Sequence, residues 1–322
     1  RAMRMMRGAI LAVGFGLLAP MVRAQAPGTT GGVLMELPAT ARAMALGGAY
    51  TAVIGDVGAL FVNPAGLAPI KRTALAVSYE RYLLDSYLAS AALAVRVGKF
   101  DLGVGLHILD FGGDSAFVPD PVFGGDRGLA TGATIGAYHA LAVGALTYRH
   151  GLLSAGVSVK ALREHVNVGI DPAVNTMAVG VDVGLMAAFF DIAALGIVVQ
   201  NIGSNTSGGT TPRAPLPLTT RIGYMLNIMD PQGTPRLMAT TEWVAPPGGD
   251  SYWIVGIEGG VVSGGVGALG RLGFVAGRRE TDRSSPVFGG GIILQNLRLD
   301  YAFQVLDVLG GGTHRFTAGW VW

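Results

Sequence analysis

The feature of this sequence that most constrains its fold is a two-residue alternation of apolar residues with small or polar ones. From Phe100 to Ile108, every second residue is large and apolar, and the residues between them are Asp, Gly or His. The same alternation recurs in residues 154–160, 177–185 and 297–305. A period of two is typical of β-strands, because successive side chains point to opposite faces.

Composition indicates which solvent surrounds the apolar face. Charged residues make up only 14% of the chain, hydrophobic residues 50%, and 51 of the 322 residues are glycine. Soluble domains carry about 25% charged residues. A soluble β-sandwich also alternates, but its outward face is rich in charge. Spanning helices need about 20 uncharged apolar residues, and charges or glycines interrupt every such stretch. We therefore predict an all-β chain that forms a transmembrane antiparallel barrel, with lipid on its apolar face and glycines lining the lumen.

Fourteen segments carry the alternating pattern. Links after even-numbered segments are short, whereas links after odd-numbered ones are longer, notably 112–130 and 203–216. Bacterial barrels have short periplasmic turns and longer outer loops, so both chain ends are predicted on the periplasmic side. The segments lie near 73–82, 86–97, 100–111, 131–149, 152–166, 175–189, 191–202, 217–229, 235–245, 251–262, 266–278, 286–296, 297–306 and 314–322.

Residues 1–26 have the features of a secretory signal peptide. Arg4 and Arg7 precede the apolar stretch 8–19, and Ala24-Gln25-Ala26 fits the small-x-small cleavage rule, with Val22-Arg23-Ala24 as a nearby alternative. The alternative, a short membrane anchor, needs a longer apolar stretch. Without this segment the chain has 19 basic and 21 acidic residues, because four of the 23 basic residues lie within it. No basic stripe remains to favour nucleic-acid binding.

Residues 27–72 break the strand pattern. A short helix is predicted to begin after Pro38 and to end at Gly47-Gly48, and the Asn-Pro pair at 63–64 predicts a turn. We expect this piece to lie inside the barrel, formed by residues 73–322, as a hatch. A periplasmic cap outside the barrel is the alternative.

Two stretches of this N-terminal piece carry a resemblance to a known family. Residues 37–53, LPATARAMALGGAYTAV, and 59–68, ALFVNPAGLA, resemble the PorV/PorQ family of outer-membrane barrels, within the broader FadL-like class. Residues 199–203 and 215–219 also resemble segments of that family. The resemblance implies a 14-stranded barrel with an N-terminal hatch, in which Asn63, Pro64, Ala65 and Gly66 match the hatch motif.

Charged residues on the inward face of the predicted strands form the second group of candidate site residues. Their signs are mixed, which disfavours an ion-selective ring. Pairing is expected between Lys160 and Asp182, Arg221 and Glu242, and Glu258 and Arg271; solvated, independent side chains are the alternative. The predicted lumen charges are Arg96, Lys160, Asp182, Arg221, Glu242, Glu258, Arg271, Arg298 and Asp300.

The last segment ends on aromatic residues. Phe316, Trp320 and Trp322 share one face, which resembles the signal read by the barrel assembly machinery. An edge strand that happens to end in Trp is the alternative. The expected surroundings are outer-membrane lipid, and the expected state is a monomeric barrel in the bacterial cell outer membrane.

Catalytic motifs are weak in this chain. It has no cysteine, its five histidines form no H-x-x-x-H or H-E-x-x-H pair, and no G-x-S-x-G motif surrounds Ser115 or Ser251. A G-x-G-x-x-G run at 265–270 continues into another alternating strand, where a dinucleotide site needs a helix. We therefore predict no enzyme, metal or cofactor site.

The resemblance implies two functions. One is an accessory or shuttle role in type IX-like secretion, with the translocon, sortase or exported cargo as partners of the outer loops. The other is a FadL-like channel for hydrophobic small molecules. The sequence favours the first only through the closer PorV/PorQ resemblance, and it carries no mark of a cargo-binding loop.

Overall fold

The chain forms one closed antiparallel β-barrel in which each strand pairs with its neighbours in sequence and β1 pairs with β14. The computed structural model describes residues 30–68, 70, 72–82, 86–120, 124–169, 173–208, 213–276, 286–306 and 311–322. The predicted signal peptide lies outside the described residues. The prediction of a barrel of about fourteen strands is confirmed.

The strands agree with the predicted segments over most of their lengths. They are β1 Thr73–Arg81, β2 Tyr87–Val97, β3 Phe100–Asp120, β4 Gly124–His150, β5 Leu153–Asn167, β6 Val174–Phe189, β7 Ala193–Gly203, β8 Thr219–Asn227, β9 Pro235–Ala245, β10 Tyr252–Ser263, β11 Val266–Ala276, β12 Val287–Leu294, β13 Leu297–Leu306 and β14 Gly311–Val321.

The two faces of the wall differ as the alternation predicts. On β3, Leu102 and Val104 are exposed on the outer surface, whereas Asp101 and His107 are 1% exposed and point inward. An apolar outer surface of this kind is stable only against hydrocarbon, because in water it would expose a large apolar patch. In the described part of the chain, no helix is both long and apolar enough to cross a bilayer.

The prediction that residues 112–130 form an outer loop is wrong. β3 and β4 continue through this region as a paired hairpin, with register shifts between Asp110 and Gly113 and between Ser115 and Phe117. Most of its described side chains are exposed, so neither face is consistently buried. Burial on one face creates the alternation in a sequence, and the bulges also change its parity. The strand pattern therefore disappears although the backbone pairing continues.

The N-terminal segment, residues 30–70, contains one short α-helix, α1 (Ala41–Ala45), and three 3₁₀ turns at Val33–Met35, Val57–Phe61 and Pro64–Leu67. Side-chain caps explain where three of these elements begin: Thr40 accepts from Ala43 N–H, Asp56 from Gly58 N–H, and Asn63 from Ala65 N–H. α1 ends before Gly47 and Gly48, which have φ values of 69° and 90° and give the chain its left-handed turn.

The candidate site: the lumen and the segment that crosses it

The N-terminal segment lies across the lumen from wall to wall. Its backbone carbonyls accept hydrogen bonds from Ser90 on β2, Thr147 on β4, Ser154 on β5, Gln200 on β7 and Arg221 on β8. Other bonds tie it to β9, β10 and β14. Strands on opposite sides of the barrel therefore hold the same segment.

The predicted hatch motif sits at the centre of these contacts. Asn63 is fully buried; its amide nitrogen donates to Thr51 O at 2.8 Å while its oxygen caps Ala65 N–H. Pro64 O accepts from Thr147, and Ala65 O accepts from Ser154 at 2.9 Å. Asn63 thus joins two turns of the segment to each other, while its neighbours join the segment to the wall.

Glycines on the inward face let the segment approach the wall closely. A Cβ added at any of nine inward glycines would lie 3.0 Å or closer to an atom of residues 45–67. At Gly156 the nearest atoms are Ala65 N at 2.5 Å and Pro64 C at 2.6 Å, which are backbone atoms with no freedom to move aside. The nine are Gly103, Gly105, Gly156, Gly184, Gly196, Gly223, Gly256, Gly273 and Gly289.

Gly156→Val is expected to displace the segment without opening the barrel. The valine side chain collides with the Pro64–Ala65 backbone, and overpacking of this kind costs about 1–3 kcal/mol. Limited proteolysis should then cut residues 30–70 faster than in the wild type, while the folded barrel keeps its mobility in an unheated gel. Gly144→Val is the matched control, because Gly144 faces outward and a Cβ there meets nothing within 4 Å. Equal proteolysis of the two variants would contradict the packing described.

The predicted lumen charges form separate clusters. Lys160 Nζ lies 2.7 Å from Asp182 Oδ2, and both side chains are at most 1% exposed. Ser158 and Asn201 complete this cluster through hydrogen bonds to Asp182. Arg221 pairs with Glu242, and both also bond the N-terminal segment, at Gly48 O and Thr51 N respectively.

The largest cluster joins the segment to β10, β11 and β13. Arg42 on α1 binds Glu258 through two hydrogen bonds, of 2.7 and 2.9 Å, and Asp56 at 3.1 Å. Glu258 also contacts Arg271 at 2.5 Å, and Asp300 lies 2.9 Å from Arg271. Arg298 contacts Asp300 at 2.9 Å and Glu258 at 3.3 Å. The positive charges of three arginines are therefore matched by the negative charges of three carboxylates.

The electrostatics of Asp56 follow from this cluster. Burial alone would raise its pKa, but Arg42, Arg298 and the N–H of Gly58 lower the pKa of Asp56 below its ordinary value. The carboxylate is therefore ionised at neutral pH and holds the charge balance with Arg42.

Several lumen residues were missed by the sequence prediction. Arg42 lies in a helix of five residues, which is too short for a periodicity to show which way its side chain points, and Asp56 lies just before a 3₁₀ turn. Asp101 pairs with the predicted Arg96 at 3.0 Å. Glu80 and Arg315 pair across β1 and β14, with a contact of 2.6 Å. The alternation along the strand does predict that Asp101, Glu80 and Arg315 point inward, since each lies between two outward-facing residues.

A chamber of about 400 Å³ lies between the segment and β8–β13, at the end of the barrel with the short links. Its floor includes Val53, Met225, Met238 and Leu269, all under 9% exposed. Its charged lining includes Arg42, Glu258 and Arg298, which belong to the largest ion-pair cluster described above.

The predicted C-terminal aromatics Phe316, Trp320 and Trp322 lie away from the chamber and are exposed on the outer surface of the barrel.

The G-x-G-x-x-G run begins at Gly265, in the two-residue turn Gly264-Gly265, and continues into β11, which pairs with β10 and β12. Within the described residues, no group of three or more acidic residues or histidines is arranged to hold a metal ion.

No protein-family model and no curated protein sequence matches this chain. Solved structures do match. The toluene transporter TbuX of Ralstonia pickettii aligns with a TM-score of 0.60 at 14% identity, covering 89% of this chain and 100% of that one. The fold is that of a FadL-type outer-membrane barrel. The Pseudomonas putida toluene transporter TodX aligns with a TM-score of 0.58 at 12% identity, covering 88% and 97% of the two chains.

A FadL homologue of Pseudomonas aeruginosa aligns equally fully, with a TM-score of 0.57 at 14% identity over 88% of this chain and 98% of that one. Identities of this size show a shared fold and leave the substrate open. The comparisons support the FadL-type fold and do not show the narrower PorV/PorQ family.

Proposed function

We propose that this FadL-type barrel is a non-enzymatic channel of the bacterial outer membrane that admits small hydrophobic compounds. The observation that carries the proposal is the N-terminal segment, which crosses the lumen of a barrel whose fold is shared with toluene transporters. The segment is the hatch, and it separates the outer half of the lumen from the chamber at the short-link end.

The apolar contact between the segment and one side of the wall supports an apolar cargo. Leu34, Leu60 and Leu67 of the segment belong to one cluster with Leu109 and Leu162 of the wall, all nearly unexposed. An apolar solute replaces such contacts with contacts of similar energy, whereas a hydrated solute would lose hydrogen bonds to water there. The route is therefore suited to compounds that carry few hydrogen-bonding groups.

The test is uptake by whole cells with an intact lipopolysaccharide leaflet, because that leaflet slows the entry of hydrophobic compounds. We expect deletion of the gene to lower the initial rate of labelled toluene uptake several-fold, and the wild-type gene to restore it. Uptake of a hydrophilic sugar is the control and should not change. Unchanged toluene uptake after deletion would overturn the channel proposal.

The same deletion strain distinguishes the secretion role implied by the PorV/PorQ resemblance. The comparisons support the hydrophobic channel and give no support to an accessory role in type IX secretion. Loss of exported proteins from the medium, with normal toluene uptake, would favour translocon, sortase and cargo as partners instead.

Assembly and location belong to the same proposal. The exposed belt of apolar side chains is complementary to outer-membrane lipid. The aromatic residues in and directly after β14, Phe316, Trp320 and Trp322, are proposed as the signal for the barrel assembly machinery. The closed wall is consistent with a monomer.

A further inference from the structure

The chamber at the short-link end has a polar side as well as an apolar floor. Met225 and Met238 form part of its floor, and Met229 stands at its mouth with 45% exposure. Methionine side chains are flexible and polarisable, so they adapt to rings and short chains of different shape. A cavity of roughly 150 Å³ holds benzene, so a chamber of about 400 Å³ holds a substituted ring.

The inner charges of the chamber are already satisfied. Arg42, Glu258 and Arg298 line it, but they belong to the cluster in which three arginines face three carboxylates. A ligand charge placed there would compete with existing ion pairs. This end of the chamber therefore supplies no free charge for a ligand.

Arg236 differs from these arginines. It lines the same chamber at the start of β9, is half-buried, and bonds through Nε to Gly233 O at 3.2 Å. Throughout the described ranges, no carboxylate lies within 4 Å of its guanidinium. Asp191, the other charged residue of the lining outside the cluster, is exposed. A half-buried guanidinium without a counter-charge is a binding group for an anion.

We propose that this chamber binds a compact amphiphile with one anionic group, such as an aromatic acid, whose ring lies on the methionine floor and whose carboxylate pairs with Arg236. The proposal deepens the proposed function, because it names the class of compound that the short-link end retains. Binding is measured on purified protein, so its failure is distinguishable from a failure of transport.

The test compares benzoate and toluene, which share a ring and differ in charge. Full-length protein in phosphatidylcholine nanodiscs is titrated with each probe by saturation-transfer NMR, with protein-free nanodiscs as the blank. Arg236→Gln is expected to weaken benzoate binding about tenfold and to leave toluene binding within about twofold. Arg163→Gln, which changes an exposed arginine away from the chamber, should alter neither affinity.

A second variant locates the site independently of charge. Met229→Trp places a large ring at the exposed mouth of the chamber and should weaken both probes. The proposal is overturned if benzoate does not bind, if Arg236→Gln leaves its affinity unchanged, or if Met229→Trp affects neither probe.

Discussion

Oxidation of the double variant Ala52→Cys, Gly223→Cys is expected to stop transport, and reduction is expected to restore it. A Cβ at Gly223 would lie 3.4 Å from the Cβ of Ala52, close to the spacing of about 3.5–4.5 Å found in disulfides. It would also lie 3.0 Å from Ala52 N, so the hatch must shift slightly to admit it, and the reduced double variant is the reference for the transport rate. The natural chain has no cysteine, so this pair forms the only intramolecular bridge available. The bridge fixes the hatch to β8 beside the chamber.

This experiment asks whether the hatch must move. The segment is bonded to strands on opposite sides of the lumen. If the proposed route runs through the lumen, we expect a solute to pass only when part of the segment is displaced. The measurement is the initial rate of toluene uptake by cells expressing the oxidised or the reduced protein. Ala52→Cys and Gly223→Cys alone serve as controls and should be insensitive to oxidant. Wild-type uptake by the fully oxidised double variant would show that the route bypasses this part of the hatch.

Arg42→Met is expected to loosen the hatch and to lower the free energy of unfolding by about 3 kcal/mol, because it removes the nearest counter-charge of Asp56 and one of the three counter-charges of Glu258. Arg42 makes the two shortest links between the hatch and Glu258 and the direct link to Asp56. The measurements are urea titration in detergent micelles and limited proteolysis of residues 30–70.

Two controls separate this electrostatic effect from a general loss of packing. Arg163→Met removes an exposed arginine and should change stability by less than about 0.5 kcal/mol. Adding Glu258→Gln to Arg42→Met removes one uncompensated charge and should recover part of the loss. If the double variant is as unstable as the sum of the two single variants, the ion pair is not the cause.

The residues of the hatch and the lumen carried sequence signals of unequal strength. The hatch motif at residues 63–66 was chosen through a family resemblance, and its role as a gate remains a prediction. Lys160, Asp182 and Glu258 were predicted from the alternation of inward-facing and outward-facing residues along each strand. That alternation shows that a side chain points inward but not which partner it reaches. Arg42, the residue that connects the hatch to Glu258, carried no sequence signal.

The alternation of side chains by itself determined the architecture: fourteen strands, an apolar exterior and glycines on the inward face. It did so because lipid and lumen impose different requirements on neighbouring residues, and every strand repeats that difference. Only the tertiary structure decided where the hatch touches the wall, which glycines it needs, and which arginine keeps an unmatched charge. Those features depend on register and on contacts between residues up to 277 positions apart, and no local pattern records such contacts.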